Sequence, residues 1–175
     1  VISACGKGQQ WERAIGLLEL MLRSDMEVDA ITCNAAIIAC EESRKWEHAL
    51  ALLGEMRLGS IDIGTITFNS AITVCEKSQQ WHRALELLGE MRRSSIELNA
   101  ITYNAAASAC EKGQQWECAL DVVGETRCHA IAIDAITYSA AVRACFQGEQ
   151  AEQAVSLLEE MQRTSTSRRG SLLGP

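Results

Sequence analysis

The sequence predicts an all-α chain, an α-solenoid of helix–turn–helix hairpins with a 35-residue period. Three observations carry this. Cysteine recurs at Cys5, Cys40, Cys75, Cys110 and Cys145, always 35 residues apart. Tryptophan keeps the same step at Trp11, Trp46, Trp81 and Trp116. The one proline among 175 residues is the last, and the chain is rich in Ala, Leu, Glu and Gln, a composition that favours helix. A fixed period of this length marks a repeat array, in which each unit buries its apolar face only against its neighbours.

The elements follow in order. Residues 1–29 form a partial unit, because residues 1–5 (VISAC) align with 36–40 (AIIAC) in the interior of the next one. The chain is therefore expected to begin inside a repeat. Four further units occupy 30–64, 65–99, 100–134 and 135–169, the last with a degenerate end. Their first halves read AITCNAAIIACEE, TITFNSAITVCEK, AITYNAAASACEK and AITYSAAVRACFQ. Their second halves read KWEHALALLGEMR, QWHRALELLGEMR, QWECALDVVGETR and QAEQAVSLLEEMQ.

The second half predicts an amphipathic helix. Trp81, Ala84, Leu85, Leu88 and Met91 fall on one stripe of a 3.6-residue period, with Glu86, Glu90 and Arg93 off it. The first half predicts a helix of small residues, such as Ala105, Ala109 and Cys110, that lets a neighbour approach closely. Gly8, Gly113 and Gly148 follow it where a C′ glycine would stand, with Ser43 and Ser78 in the other two units. Thr32, Thr67, Thr102 and Thr137 read as helix-start hydroxyls. After Met161 the pattern is lost, so a frayed end and a disordered tail over 170–175 are expected.

Composition narrows the function. At 47% hydrophobic residues the chain can bury a continuous core. Its net charge of −7 and pI of about 5.0 have the sign opposite to the basic face typical of nucleic-acid binders. No apolar run reaches the ~18–20 residues of a membrane span. The five periodic cysteines are one per unit, with no C-x-x-C pair, and read as buried small hydrophobes rather than disulfides or metal ligands. Cys118, Cys128 and His129 lie close in sequence in only one unit, which is a weak basis for a metal site. No H-E-x-x-H, phosphate-binding loop or Cys/His triad spacing is present, so neither an enzyme, a cofactor nor a small-molecule substrate is expected.

The segments AITYNAAASACEKGQQWECAL and TITFNSAITVCEKSQQWHRALELLGEMRRSSIELN resemble pentatricopeptide repeats over residues 1 to about 169. The likeness lies in the V-T-Y-N-type opening, the small-residue first helix, the hinge, the E-A-L-x-L-x-x-E-M-type second helix and the terminal Asp or Asn. It implies a right-handed superhelix that binds single-stranded RNA, one base per repeat. It also implies roles. The opening Asn would read a base together with the last residue of its unit: Asn34 with Gly64, Asn69 with Asn99, Asn104 with Asp134, Ser139 with Arg169. Ile31, Ile66, Ile101 and Ile136 would sandwich bases, and Lys7, Lys77 and Lys112 would meet phosphate. By the family's pairing rule Asn69/Asn99 implies a pyrimidine, cytosine foremost, and Asn104/Asp134 implies uracil. Gly64 and Arg169 depart from the rule.

Each residue type also has a plain structural reading: the Asn as caps, the Ile as interhelical core, the Lys as a solvated ridge. The resemblance further implies a plastid or mitochondrial role in RNA processing, stability or editing. The alternative is a helical scaffold for other proteins, favoured by the acidic balance and by Val28, Ile63, Leu98 and Ile133 standing where the family has proline.

Overall fold

The computed structural model describes residues 11–23, 28–129, 131 and 134–171. Among these are nine α-helices and no strand: α1 Trp11–Arg23, α2 Ala30–Glu42, α3 Trp46–Leu58, α4 Thr65–Lys77, α5 Trp81–Arg93, α6 Ala100–Lys112, α7 Trp116–Cys128, α8 Ala135–Gln147 and α9 Ala151–Ser171. None of them is long and apolar enough to cross a membrane. The chain forms two compact units, Val1–Leu98 with α1–α5 and Asn99–Pro175 with α6–α9. In the first, α2 packs on α4 and each lies against its own second helix. In the second, α6 packs on α8, with α7 and α9 alongside.

Small side chains make this packing possible. Ala36, Ala39 and Cys40 on α2 and Ala71 and Cys75 on α4 are fully buried, as are Ala106, Ala109 and Cys110 on α6 and Ala140, Ala144 and Cys145 on α8. The periodic cysteines are therefore core thiols, free of disulfides at Cys40, Cys75, Cys110 and Cys145. Cys5 lies outside the described residues. Burial pushes the Cys40 thiol up to about 11 and those of Cys75 and Cys110 up to about 12.

The second helices bury a stripe turned slightly from the expected one. On α5 it comprises Ala84, Leu87, Leu88 and Met91, while Leu85 and Trp81 are only half-buried. The tryptophans are not core. They are half-buried, and Trp11 and Trp116 each touch the start of the following hairpin's second helix or its hinge. The Trp11 ring lies 4.8 Å from that of His48, with Lys45 Nζ 5.1 Å from its centroid. The Trp116 ring lies so close to Gly148 that a Cβ there would stand 2.3 Å from its Cδ1.

That contact corrects the reading of the hinge glycines. Gly113 and Gly148 are the cap residues, at φ −83° and −87°, and Ser43 and Ser78 hold the same place at −91° and −87°. The left-handed position is one residue later, at Arg44, Gln79, Gln114 and Glu149, with φ between 53° and 59°. The hinges are Schellman motifs: Gln80 N–H donates to Cys75 O at 2.8 Å, and Gln79 N–H to Glu76 O at 3.1 Å. At 148, glycine leaves room for the Trp116 ring; it is not there for a positive φ. Gly8 lies outside the described residues.

The helix starts are corrected too. The caps are Asp29, Gly64, Asn99 and Asp134, all with extended backbone, and each threonine is the third residue of its helix. Where the cap has a side chain, it accepts from the N–H three residues on, so the threonine N–H is the donor that is capped. Thr32 N–H donates to Asp29 Oδ1 at 2.8 Å. Thr102 N–H donates to Asn99 Oδ1 at 3.1 Å, and Asn99 N–H returns to Thr102 Oγ1 at 3.3 Å, a capping box. At the other end, α9 continues to Ser171 through the segment expected to fray; no proline stops it, and Arg163 pairs with Glu159 one turn back. Residues 172–175 lie outside the described residues.

Candidate nucleic-acid interface

The hairpin register brings three residue types to one end of every first helix. The isoleucine is its second residue, the asparagine or serine its fifth, and the last residue of the preceding unit is its cap. The isoleucines point out. Ile31, Ile66, Ile101 and Ile136 are 77%, 70%, 62% and 56% exposed, which removes the core reading left open by the sequence. A branched aliphatic kept in water at the same position four times is an apolar contact surface with nothing on it.

In the second unit the asparagine and the closing aspartate meet. Asn104 Nδ2 donates to Asp134 Oδ2 at 2.8 Å. Asp134 Oδ1 accepts from the Ile136 and Thr137 N–H groups at 3.0 and 3.1 Å, so the same carboxylate caps α8. The Thr137 hydroxyl donates to Asn104 Oδ1. Burial pushes the Asp134 carboxyl up, but the hydrogen bonds from Asn104, Thr137 and Ile136 outweigh it and hold it below the ordinary aspartate value.

In the first unit the equivalent place is incomplete. Gly64 gives α4 no side-chain cap, and Asn34 Oδ1 is buried without a hydrogen-bond partner. Asn69, on α4, is buried, and its main-chain carbonyl accepts from the Thr73 hydroxyl at 2.8 Å. Asn99, its partner by the pairing rule, opens the second unit as the cap of α6. Ser139 turns its hydroxyl inward to Ile136 O at 2.9 Å. Arg169 stands on α9, beyond the residues whose side chains are described.

The expected phosphate ligands have a different setting. Lys77 Nζ lies 2.7 Å from Glu41 Oε1 and 3.2 Å from Glu42 Oε1, both on the preceding first helix. The bond it donates to Glu41, followed by that to Glu42, holds the Lys77 pKa above the ordinary lysine value. Lys112 is exposed at the end of α6, and Lys7 lies outside the described residues. Two participants escape the sequence reading. Arg143 forms a bidentate pair with Glu111, at 2.6 and 2.8 Å. It aligns with Ile38, Thr73 and Ser108, so no periodic signal marks it. Thr137 is periodic, but its spacing points to a cap and not to a bond with Asn104.

Comparison with known proteins follows the same lines. The model described as PPR repeat family matches residues 63–112, that described as pentatricopeptide repeat domain matches 16–78, and that described as PPR repeat matches 1–26 and 136–164. The chain is similar to the crystal structure of the pentatricopeptide repeat protein PPR10 from maize, with TM-score 0.73 and 25% identity, covering 94% of this chain and 24% of that one. PPR10 in complex with an 18-nt psaJ RNA element gives TM-score 0.73 and 19% identity, covering 93% and 24%. The PPR domain of Arabidopsis thaliana protein-only RNase P 1, in complex with tRNA, gives TM-score 0.80 and 12% identity, covering 94% and 86%. The chain thus spans about a quarter of the length of the maize protein. No match is found among curated protein sequences. Together the three family models cover residues 1–112 and 136–164, the fold is that of the α-solenoids just named, and the chain belongs to the pentatricopeptide repeat family.

Proposed function

We propose that this chain binds single-stranded RNA along the exposed ends of its first helices, one base per hairpin, and that it does so selectively. The observation that carries the reading is the set of four exposed isoleucines, each three residues before an Asn or Ser. Bases have flat apolar faces that such side chains can sandwich without base preference, and the neighbouring carboxamide can donate and accept on a base edge. The bonded Asn104–Asp134 pair supports a site held ready for a base. The complex of maize PPR10 with its RNA element supports the class of ligand.

In this reading Ile31, Ile66, Ile101 and Ile136 sandwich bases, and Asn34, Asn69, Asn104 and Ser139 read them with the help of Gly64, Asn99 and Asp134. Lys77 and Lys112 face phosphate. The proposed role is binding, in support of RNA processing, stability or editing in a plastid or mitochondrion. Each stacked base contributes roughly 1–3 kcal/mol before ordering costs, so four hairpins give weak affinity, about micromolar.

Fluorescence anisotropy at two salt concentrations tests this, with short RNAs carrying CU or UU at the central sites and AA, GG and DNA controls. Pyrimidine RNA should bind best, and Asn104→Ala or Asp134→Ala should weaken it. Binding indifferent to base and to both substitutions, or none at all, would refute base reading. It would favour a protein-binding scaffold, the second reading, which the carboxylates paired with Lys77 and Arg143 support.

A further inference from the structure

We propose that Thr137 is a positioning residue for base recognition, one whose hydroxyl locks the Asn104 carboxamide in a single orientation and thereby lets it tell uracil from cytosine. The inference rests on the RNA reading above and deepens it. Asn104, Asp134 and Thr137 are linked in one hydrogen-bond network. The Asn104 amide nitrogen donates to Asp134 Oδ2 at 2.8 Å, and the Asn104 amide oxygen accepts from the Thr137 hydroxyl. The carboxylate returns to α8 through the Ile136 and Thr137 N–H groups. Thr137 is 2% exposed, so water does not compete for its hydroxyl.

The consequence is chemical. A primary amide has a donor end and an acceptor end, and at an unsupported site it can exchange them by turning over. Here the turn would set the amide oxygen against the Asp134 carboxylate and force the Thr137 hydroxyl to give up Asn104 Oδ1 and donate instead to Asp134 Oδ1, which stands farther off at 3.4 Å. One N–H and one oxygen lone pair of Asn104 remain for a ligand, in fixed places. Uracil presents a ring N–H donor flanked by carbonyls. Cytosine presents a bare ring nitrogen beside an amino donor. An amide free to turn can satisfy either edge, whereas a locked one matches one and leaves a polar group unpaired against the other.

The chain contains its own control. At Asn34 the cap is Gly64, and the Asn34 amide oxygen has no partner although Thr67 is buried at the matching position. Threonine alone does not hold the amide. The carboxylate turns the nitrogen toward itself and presents the oxygen to the hydroxyl.

The test compares wild type, Thr137→Val and Thr137→Ser on RNAs that differ only by U or C at the base facing Asn104. The readout is the ratio of the two dissociation constants, which general loss of structure would not move selectively. Valine should bring the ratio toward one by about 2- to 13-fold, the worth of one hydrogen bond, and serine should restore it. A valine variant that binds RNA with the wild-type ratio overturns the proposal. Absence of binding or of U/C choice in wild type overturns base reading itself, and this with it. Should valine unfold the unit, side-chain amide relaxation by NMR on the RNA-free wild type decides. Asn104 should be rigid and Asn34 mobile, and equal mobility at the two sites overturns the lock.

Discussion

Gly64→Asp is the substitution for which the chain supplies its own template. Gly64 has φ −96° and ψ −177°, close to Asp29 at −95° and 166° and Asp134 at −97° and 175°. An aspartate there needs no backbone change, and an added Cβ meets no atom within 4 Å. It should accept from the Thr67 N–H, as Asp29 does from Thr32, and from the Asn34 amide nitrogen. Aspartate over glycine at a cap contributes a few tenths of a kcal/mol, and the carboxylate at the helix start about 0.3–1 kcal/mol, for a sum of about 0.5–1 kcal/mol. For a unit of this size that raises Tm by about 2–8 °C. Ordering Asn34 should add roughly one hydrogen bond to a base, about 2- to 13-fold in affinity for RNA carrying a pyrimidine at that site. Thermal unfolding by circular dichroism and anisotropy titration read the two effects separately. A lowered Tm would refute the capping argument. A raised Tm with unchanged affinity would refute the claim that Gly64 is what leaves this site weak.

Leu88 is 2% exposed on the buried stripe of α5, so Leu88→Ala should lose roughly 2–5 kcal/mol in urea unfolding; a loss below 1 kcal/mol would mean the stripe is loosely packed. The Asp134 carboxyl lies below its unfolded value of about 3.9, so its contribution is present above pH ~4 and is lost as pH falls through the depressed folded value. Asp134→Asn keeps a cap but does not titrate, and should flatten the acid limb of stability against pH; an unchanged limb would place the acid sensitivity elsewhere. In native maleimide labelling at neutral pH, exposed Cys128 should react first, and Cys33, Cys40, Cys75, Cys110 and Cys145 only in denaturant. Rapid native reaction at any of those five would contradict their burial.

The period made the fold legible, because each hairpin repeats the same burial problem and solves it with the same residues. Cys40 and Cys75 are core because their helices pack through Ala and Cys, and that pattern is visible in the string. What the string withholds is the neighbour. Trp116 looks like core on its own helix, yet it rests at the rim against a glycine more than thirty residues away. Ile101 and Ile136 could equally have been interhelical; only the position of the partner helix leaves them exposed. The threonines illustrate a subtler limit. Their periodic place at a helix start fits a cap until the preceding Asp or Asn is seen to reach over them. The pairing of Asn104 with Asp134 spans thirty residues, and the resemblance, not the spacing, brings the two together in advance. Arg143 occurs in one unit only, so periodicity is blind to it.

Several of the carboxylates have a structural role. Arg57 pairs with Glu90 and Arg127 with Glu160, the same two repeat positions in adjacent second helices. Glu41 and Glu42 reach Lys77, and Glu111 reaches Arg143, between adjacent first helices. The carboxylates are cross-links between hairpins, each worth about 0–1 kcal/mol at such exposure and more useful for register than for stability. For an RNA bound along the first helices this changes the balance of forces. A phosphate arriving at Lys77 or Arg143 exchanges with a carboxylate and neutralises little new charge, so counterion release is reduced. The dependence of log affinity on log salt should fall well short of the slope of about 0.7 per phosphate expected of free cations on a single strand. Glu111→Gln should steepen it by freeing Arg143; a slope that is already full in the wild type, and unmoved by that substitution, would show that these pairs open at no cost. In the proposed reading, with the backbone term muted, sequence choice would rest on the isoleucine sandwich and on the locked amide at Asn104, and an acidic array would be selective while binding weakly.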